Sequence, residues 1–267
     1  MVVIFGAGFT GRRVAARLLR RGVRVVAGVR NPDRVRDLIP LGLEALALDP
    51  DAHYPSGAAL LHSVPPLPAP EEGALRSLIE RIEPHRVVYL STTGVYGDQL
   101  EVSEITPAAP ADARALARIE AERWIACHDW PALILRAAAI YGPGRGVHTS
   151  IRAGRIPRSS ASGIVSRIHV DDLAALAEAG LVSDLTGAWP VADDHPCPTA
   201  EIAEWLEQHD NCAAQHTPQT VFPIHGRKVN GGNIRERLGI KLKYPSWHTG
   251  LAASIAEEGY SVRRYSD

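Results

Sequence analysis

Three glycines carry the first chemical signal in the chain. Gly6, Gly8 and Gly11 stand in Gly6-Ala7-Gly8-Phe9-Thr10-Gly11, directly after the apolar run Val2-Val3-Ile4-Phe5 and at the start of a helical pattern. Each glycine has its own task in such a turn. The first permits the tight turn, the second lets a pyrophosphate approach the backbone, and the third lets the helix pack close to the strand. The N–H groups and partial positive charge of the helix start then attract phosphates. In isolation the spacing is a weak signal; between the first strand and first helix of a βαβ unit it points to a dinucleotide. The alternative is a glycine turn in a Rossmann-like domain that binds nothing.

The next informative position is the end of the second strand, Val29-Arg30-Asn31. An NAD site usually carries an Asp or Glu there to meet the ribose 2′-OH. This chain has no acid. Arg30 suits a 2′-phosphate through a charge-assisted pair, with Arg12 as an assisting cation. The expectation is NADP(H) in preference to NAD(H). The alternative is an exposed loop cation beside a site open to either cofactor. Further cofactor contacts are expected from Phe9 and Thr10 in the turn, from Asp49 after the third strand, and from Ser63, Val64 and Pro65 after the fourth.

These residues need a scaffold, and the hydrophobic pattern supplies one. Val14, Leu18 and Leu19 form one apolar helical stripe, and Gly22 sits where a helix C-cap glycine belongs. A strand over Val23–Val29 follows, and Asn31-Pro32-Asp33 starts a second helix. Strands are read at Leu43–Leu48, Ala58–Val64, Arg86–Leu90 and from Pro131 to Arg136. Helices are read at Ala74–Ile82, Ala111–Ala126, Asp171–Leu181, Thr199–Gln208 and Ser246–Glu257. Strands alternating with helices imply an α/β fold with a Rossmann-type doubly wound parallel sheet. The whole chain, 1–267, reads as one unit with a small C-terminal lobe. Residues 1–141 form mainly the cofactor-binding core. Residues 142–267 form mainly substrate-side loops and the lobe, with a helix at 168–182 packing back on the core.

Composition narrows the function classes. The chain has 267 residues, 29 basic against 30 acidic, for a formal net charge of −1. That balance argues against nucleic acid as a partner. No apolar run approaches the roughly 18 residues of a membrane span, and the N-terminus lacks signal-peptide features. Cys127, Cys197 and Cys212 offer no disulfide framework, and no histidine spacing suggests a metal. The expectation is a cytoplasmic protein with reduced thiols and no metal. Only three lysines occur, Lys228, Lys241 and Lys243, so lysine-dependent mechanisms are excluded from the first 227 residues.

Three later segments join the glycine turn. They are Val88-Tyr89-Leu90-Ser91-Thr92-Thr93-Gly94-Val95-Tyr96-Gly97, Leu135-Arg136 through Ile140-Tyr141-Gly142-Pro143-Gly144-Arg145, and Arg167-Ile168-His169-Val170-Asp171-Asp172-Leu173. Together they resemble the short-chain dehydrogenase/reductase superfamily in its extended or atypical branch, the NAD-dependent epimerase/dehydratase family, over most of the chain. The resemblance implies a Ser or Thr at the end of the fifth strand that bonds the reacting oxygen. The register gives Thr92, with Ser91 and Thr93 as neighbouring alternatives; the plain alternative is a hydroxyl that satisfies loose backbone groups at a strand end. The family's acid/base pair is Tyr-x-x-x-Lys on the long helix, followed by Glu. Glu122 in Ala121-Glu122-Arg123-Trp124 sets that register and places Arg118 at the Lys position and Arg114 at the Tyr position. None of the seven tyrosines has Lys four residues on.

Arg118 is therefore expected to hold the ribose as a cation. Arg114 stays charged near neutrality and gives no proton; the plain alternative for both is a solvated or Glu-paired helix face. Replacement proton donors are sought at Tyr96, Tyr141, His148 and His169, with Tyr96 and His148 ranked first. For Tyr96 and Tyr141 the alternative is a scaffold role, and for His169 a cap or brace for the next helix. Tyr141, Arg145, His148 and Arg152 are the expected substrate-side residues. Arg145, Arg152, Arg155, Arg158 and Arg167 lie in a stretch without acids, which fits an anionic small-molecule substrate as well as it fits an arginine-rich surface. The leading expectation is an NADP(H)-dependent oxidoreductase acting on a small carbonyl, alcohol or imine. Two alternatives stand beside it. One is a nucleotide-sugar epimerase or dehydratase, disfavoured by the missing Tyr and Lys. The other is a non-catalytic NADP(H)-sensing binding module. A homodimer is compatible with either.

Overall fold

Val2–Phe5 (β1) is buried at every position, as a parallel strand covered on both faces must be. The computed structural model describes residues 1–155, 163–209 and 226–260. Within them β1 joins Val25–Val29 (β2), Glu44–Ala47 (β3), Ala59–His62 (β4), Arg86–Thr92 (β5), Ala132–Ala137 (β6) and Gly187–Val191 (β7). All pairings in this sheet are parallel, in the order β7-β6-β5-β4-β1-β2-β3. The order reverses between β1 and β4, and a crevice opens there at the carboxyl ends of the strands.

Gly11–Arg20 (α1) and Val170–Val182 (α5) cover one face. Val14, Leu18, Leu173 and Ala177 pack there on Ile4, Leu61 and Val88. Ala69–Ile82 (α2) and Ala113–Ala126 (α3) cover the other, packing Leu75, Ile79 and Ile125 on Val3, Leu60 and Tyr89. Gly22 takes φ +74 just past the end of α1, the left-handed conformation expected of it.

The boundaries differ from the sequence reading in instructive places. The segment after Asn31 is a 3₁₀ helix, Pro32–Leu41, with Pro40 inside it; proline lacks the N–H that an α-helical ladder requires. Helix α2 begins at Ala69 rather than Ala74, because Pro70 is tolerated in a first turn. Strand β5 runs on to Thr92. Strand β7 escaped the sequence reading altogether, since Pro190 argues against a strand. It is permitted here because β7 pairs only with β6, at the sheet edge.

The lobe is built from Val147–Arg152 (α4), Thr199–His209 (α6) and Trp247–Glu257 (α8), while Gly232–Leu238 (α7) packs its Ile234 into the core on the α1/α5 face of the sheet. Tyr141, Ile151, Leu206, Trp247 and Leu251 form its core. Asp193 follows β7 at the lobe's base and is 2% exposed. Its Oδ1 accepts from the His195 N–H, and its Oδ2 has no partner among the described residues. Burial pushes this carboxyl up to about 7. The folded value lies above the unfolded one near 4, so this group's contribution to stability is full below about pH 4 and is lost as pH rises through about 7. Asp193→Asn should flatten that part of the stability profile in urea unfolding between pH 4 and 8. An unchanged slope in the variant would refute the assignment.

Candidate cofactor cleft

A cleft of about 700 Å³ runs along the carboxyl ends of β2, β1, β4 and β5. Its floor is the glycine turn. Gly6 takes φ +87, and a Cβ on it would stand 3.0 Å from the Ser63 carbonyl carbon. A Cβ on Gly11 would stand 2.3 Å from the Gly6 oxygen, so only glycine lets α1 approach β1 this closely. Gly8 differs: nothing lies within 4 Å of its missing Cβ, which opens on free space. Thr10 gives α1 no side-chain cap, and the first turn holds no acid. The N–H groups of Gly8, Arg12 and Arg13 already donate to the carbonyls of Gly6, Gly8 and Thr10, so those of Phe9, Thr10 and Gly11, without a backbone partner among the described residues, are the ones available to an anion. The geometry of these residues fits a dinucleotide pyrophosphate. Phe9 and Thr10 line the cleft beside them, and Ser63, Val64 and Pro65 line it after β4, as expected.

At the β2 end, Arg30 is exposed on the cleft wall, and no carboxylate pairs with it among the described residues. Asn31 next to it caps the 3₁₀ helix, its Oδ1 accepting from the Asp33 N–H at 2.9 Å. Arg12, expected to assist, is engaged with Asp37 at 2.5 Å. Asp49 lies beyond the lining residue Leu48 and accepts from the Asp51 N–H; that local turn, not the cleft, occupies its carboxylate.

The other end lies three strands away, roughly 14 Å, over β5. Ser91 lines it, and its hydroxyl donates to Glu122 Oε1 on α3 at 2.5 Å. Arg136 Nη2 donates to Glu122 Oε2 at 2.7 Å, and Arg136 Nη1 donates to the Tyr96 hydroxyl at 3.3 Å. Tyr96 is fully buried in this network, not on the cleft wall. Burial holds its phenol above the usual range against the pull of Arg136. Thr92 does not line the cleft; its Oγ1 accepts from the Gly94 N–H at 3.1 Å. Side chains alternate along a strand, so Thr92 and Ser91 cannot share a face, and the face turned to α3 belongs to Ser91. The signal for Ser91 was its spacing of two from Tyr89, which packs on the same side.

Arg118 lines the cleft and donates through Nη1 to the Tyr89 hydroxyl at 2.9 Å and to the Leu90 oxygen at 3.1 Å. Arg114 is exposed on the same wall. No acid pairs with either among the described residues, which corrects the reading of a Glu-paired face.

On the substrate side, Arg145 lines the cleft with its guanidinium 5.1 Å over the Phe9 ring. The other expected residues build the lobe instead. Tyr141 is 1% exposed beneath α8, where Gly250 leaves it room, and burial raises its phenol well above the usual range. His148 is fully buried, with Nε2 2.8 Å from Glu258 Oε1. Arg152 Nη1 donates to Glu258 Oε2 at 2.5 Å, and the Gly144 N–H donates to Oε1. Burial pushes the Glu258 carboxyl up, but these donors outweigh it and hold it below its ordinary value.

His169 caps α5, its Nδ1 accepting from the Asp171 N–H, so the brace is the role the structure gives it. Arg167 is buried and donates to the oxygens of Val165 and Cys197 and to Thr199 Oγ1. Arg155 is exposed, while Arg158 and Cys212 lie outside the described residues. Cys127 is exposed; burial raises the Cys197 thiol to about 11. Among the described residues no group of three or more His, Cys, Asp and Glu could hold a metal, and no helix is long and apolar enough to cross a membrane.

Comparison with known proteins adds four relations. Residues 73–186 match the model of the NAD dependent epimerase/dehydratase family. A 3-diazoavenalumate denitrifying reductase from a Streptomyces species is 33% identical over 174 residues, 57% of this chain, and the match spans 56% of that relative. The chain thus covers little more than half the length of that protein. A conserved protein of unknown function from Silicibacter pomeroyi is 32% identical, with a TM-score of 0.77 over 96% of this chain and 98% of the other. The UDP-glucuronic acid 4-epimerase from Bacillus cereus in complex with NAD, 17% identical, shares the fold with a TM-score of 0.75 over 97% and 98% of the two chains.

Proposed function

Residues 73–186 carry a domain of the NAD-dependent epimerase/dehydratase family, and from that premise we propose that the chain is an NADP(H)-dependent reductase of small, anionic substrates. The observation that carries the cofactor preference is Arg30, a guanidinium with no carboxylate partner among the described residues, at the end of β2 where an acid would mark NAD. The glycine turn and the start of α1 would hold the pyrophosphate. Arg118 would hold the ribose over β5. When bound, the cofactor supplies the hydride.

The chain's own part is placement. Ser91 commits its proton to Glu122, so its oxygen is left to accept from a substrate N–H or O–H. Every ionisable side chain lining the cleft among the described residues is an arginine: Arg30, Arg114, Arg118 and Arg145. A guanidinium gives up no proton near neutrality, so water entering the cleft is the proton source for a product that needs one. Four cations without an acid favour a carboxylate- or phosphate-bearing substrate. The reductase relative supports reduction over epimerisation, and its substrate name adds diazo compounds to the carbonyls and imines worth testing.

Fluorescence titration tests the cofactor. Arg30→Ala should weaken NADPH about 30-fold, the effect of losing charge-assisted hydrogen bonds, and leave NADH within about twofold. Equal losses for both would refute the assignment of Arg30. Mixing the NADPH complex with carbonyl, imine and diazo carboxylates tests the reaction. Tight binding with no oxidation of NADPH by any class would favour a sensing module.

A further inference from the structure

Tyr89 lies on β5, two residues before Ser91 and fully buried on the side of α2 and α3, and the cofactor reading makes no use of it. One face of its ring stacks on His62 from β4, centroids 4.9 Å apart and planes 29° from parallel. Its hydroxyl accepts from Arg118 Nη1, and the Arg118 guanidinium carbon lies 5.8 Å from the ring centre. The same Nη1 donates to the Leu90 oxygen. A guanidinium has five N–H donors. Both of those on Nη1 are thus tied to β5, which leaves the donors of Nη2 and Nε to the cleft that Arg118 lines.

The buried carboxylate on the same helix does not compete for the charge. Glu122, one turn along α3, is held by Arg136 and Ser91. His62 stays neutral: burial first, then the fields of Arg118 and Arg76, push its imidazole down to about 3.

We propose that Tyr89 is a positioning residue that anchors Arg118, so that its free edge grips the neighbouring hydroxyls of the ribose lying over β5. The proposal rests on the dinucleotide reading above and deepens it. A lysine offers a point charge on a flexible stem, whereas a guanidinium edge meets two adjacent oxygens at once. The cost of using arginine is its many rotamers. The tether to Tyr89 and Leu90 removes that freedom before the cofactor arrives, which is where preorganisation gains affinity.

The test is calorimetric titration with two probes, NADP⁺ and 2′,5′-ADP, which carries only the adenosine half. Tyr89→Phe keeps the ring and its stacking and removes the acceptor. It should weaken NADP⁺ about tenfold, as for a hydrogen bond to a charged group, with 2′,5′-ADP unchanged and the thermal midpoint preserved. Arg118→Ala should weaken NADP⁺ at least as much, and adding Tyr89→Phe to it should change nothing more, the non-additivity of two residues acting as one. Equal weakening of both probes would assign Tyr89 a packing role and overturn the proposal. So would an NADP⁺ affinity untouched by Tyr89→Phe, or additive losses in the double variant. A wild-type protein that binds neither probe overturns the dinucleotide reading itself, and the proposal with it.

Discussion

Gly8→Val should abolish dinucleotide binding and leave the protein folded. The missing Cβ of Gly8 has nothing within 4 Å, so a Cβ there meets no protein atom and opens on free space. It would project instead into the cleft above the start of α1, where the pyrophosphate must approach the backbone. The expected result is a loss of at least about 100-fold in NADPH affinity, or about 2.7 kcal/mol, with a thermal midpoint within a degree or two of wild type. Gly11→Ala is the contrasting control. Its Cβ would sit 2.3 Å from the Gly6 oxygen, so α1 must shift away from β1 and stability falls with binding. Wild-type affinity in Gly8→Val would mean that phosphates do not cross this turn, and the cofactor assignment would fail.

The second large effect is on stability. Glu122 is 4% exposed and receives the Ser91 hydroxyl and three donations from Arg136. The Arg136 side chain is itself only 12% exposed. Glu122→Ala would strand this guanidinium in the interior with the Tyr96 hydroxyl as its remaining side-chain partner. Removing one member of a buried pair costs about 3–5 kcal/mol, because the surviving charge has no solvent to turn to. Urea unfolding should show that loss. Replacing both members together, Glu122→Leu with Arg136→Met, should recover much of it, since no uncompensated charge remains. A loss under about 1 kcal/mol in Glu122→Ala would mean that water reaches Arg136 and that the network is not sealed.

The contrast between the two ends of the cleft explains how much could be read in advance. At the β2 end the inference from Gly6, Gly8, Gly11 and Arg30 needed only nearest-neighbour logic. A strand, a turn and a helix start are local, and Arg30 sits one residue past β2. At the β5 end the same logic selected Thr92, because its spacing from Val95-Tyr96-Gly97 matched a family pattern. The structure turns Ser91 to α3 and ties Thr92 into the turn that follows. Spacing along one strand does not say which of two adjacent residues faces a helix from a distant part of the chain. Tyr96 and His148 failed as wall residues for a related reason. Both point into cores formed with partners far along the chain, Arg136 and Glu258.

The amino-acid sequence by itself determined the parallel α/β architecture and the glycine turn between β1 and α1. Burial on both faces of a strand, helix periodicity and the steric permissions of glycine are all written in residues close together. Only the tertiary structure decided which of the arginines serve the cleft. Arg30, Arg114, Arg118 and Arg145 reach its wall, while Arg12, Arg152 and Arg167 are claimed by Asp37, Glu258 and the backbone around Cys197. All seven look alike in composition. A guanidinium is flexible and pairs with whatever carboxylate or carbonyl the fold brings within reach, and that is settled by contacts between residues as far as 106 positions apart.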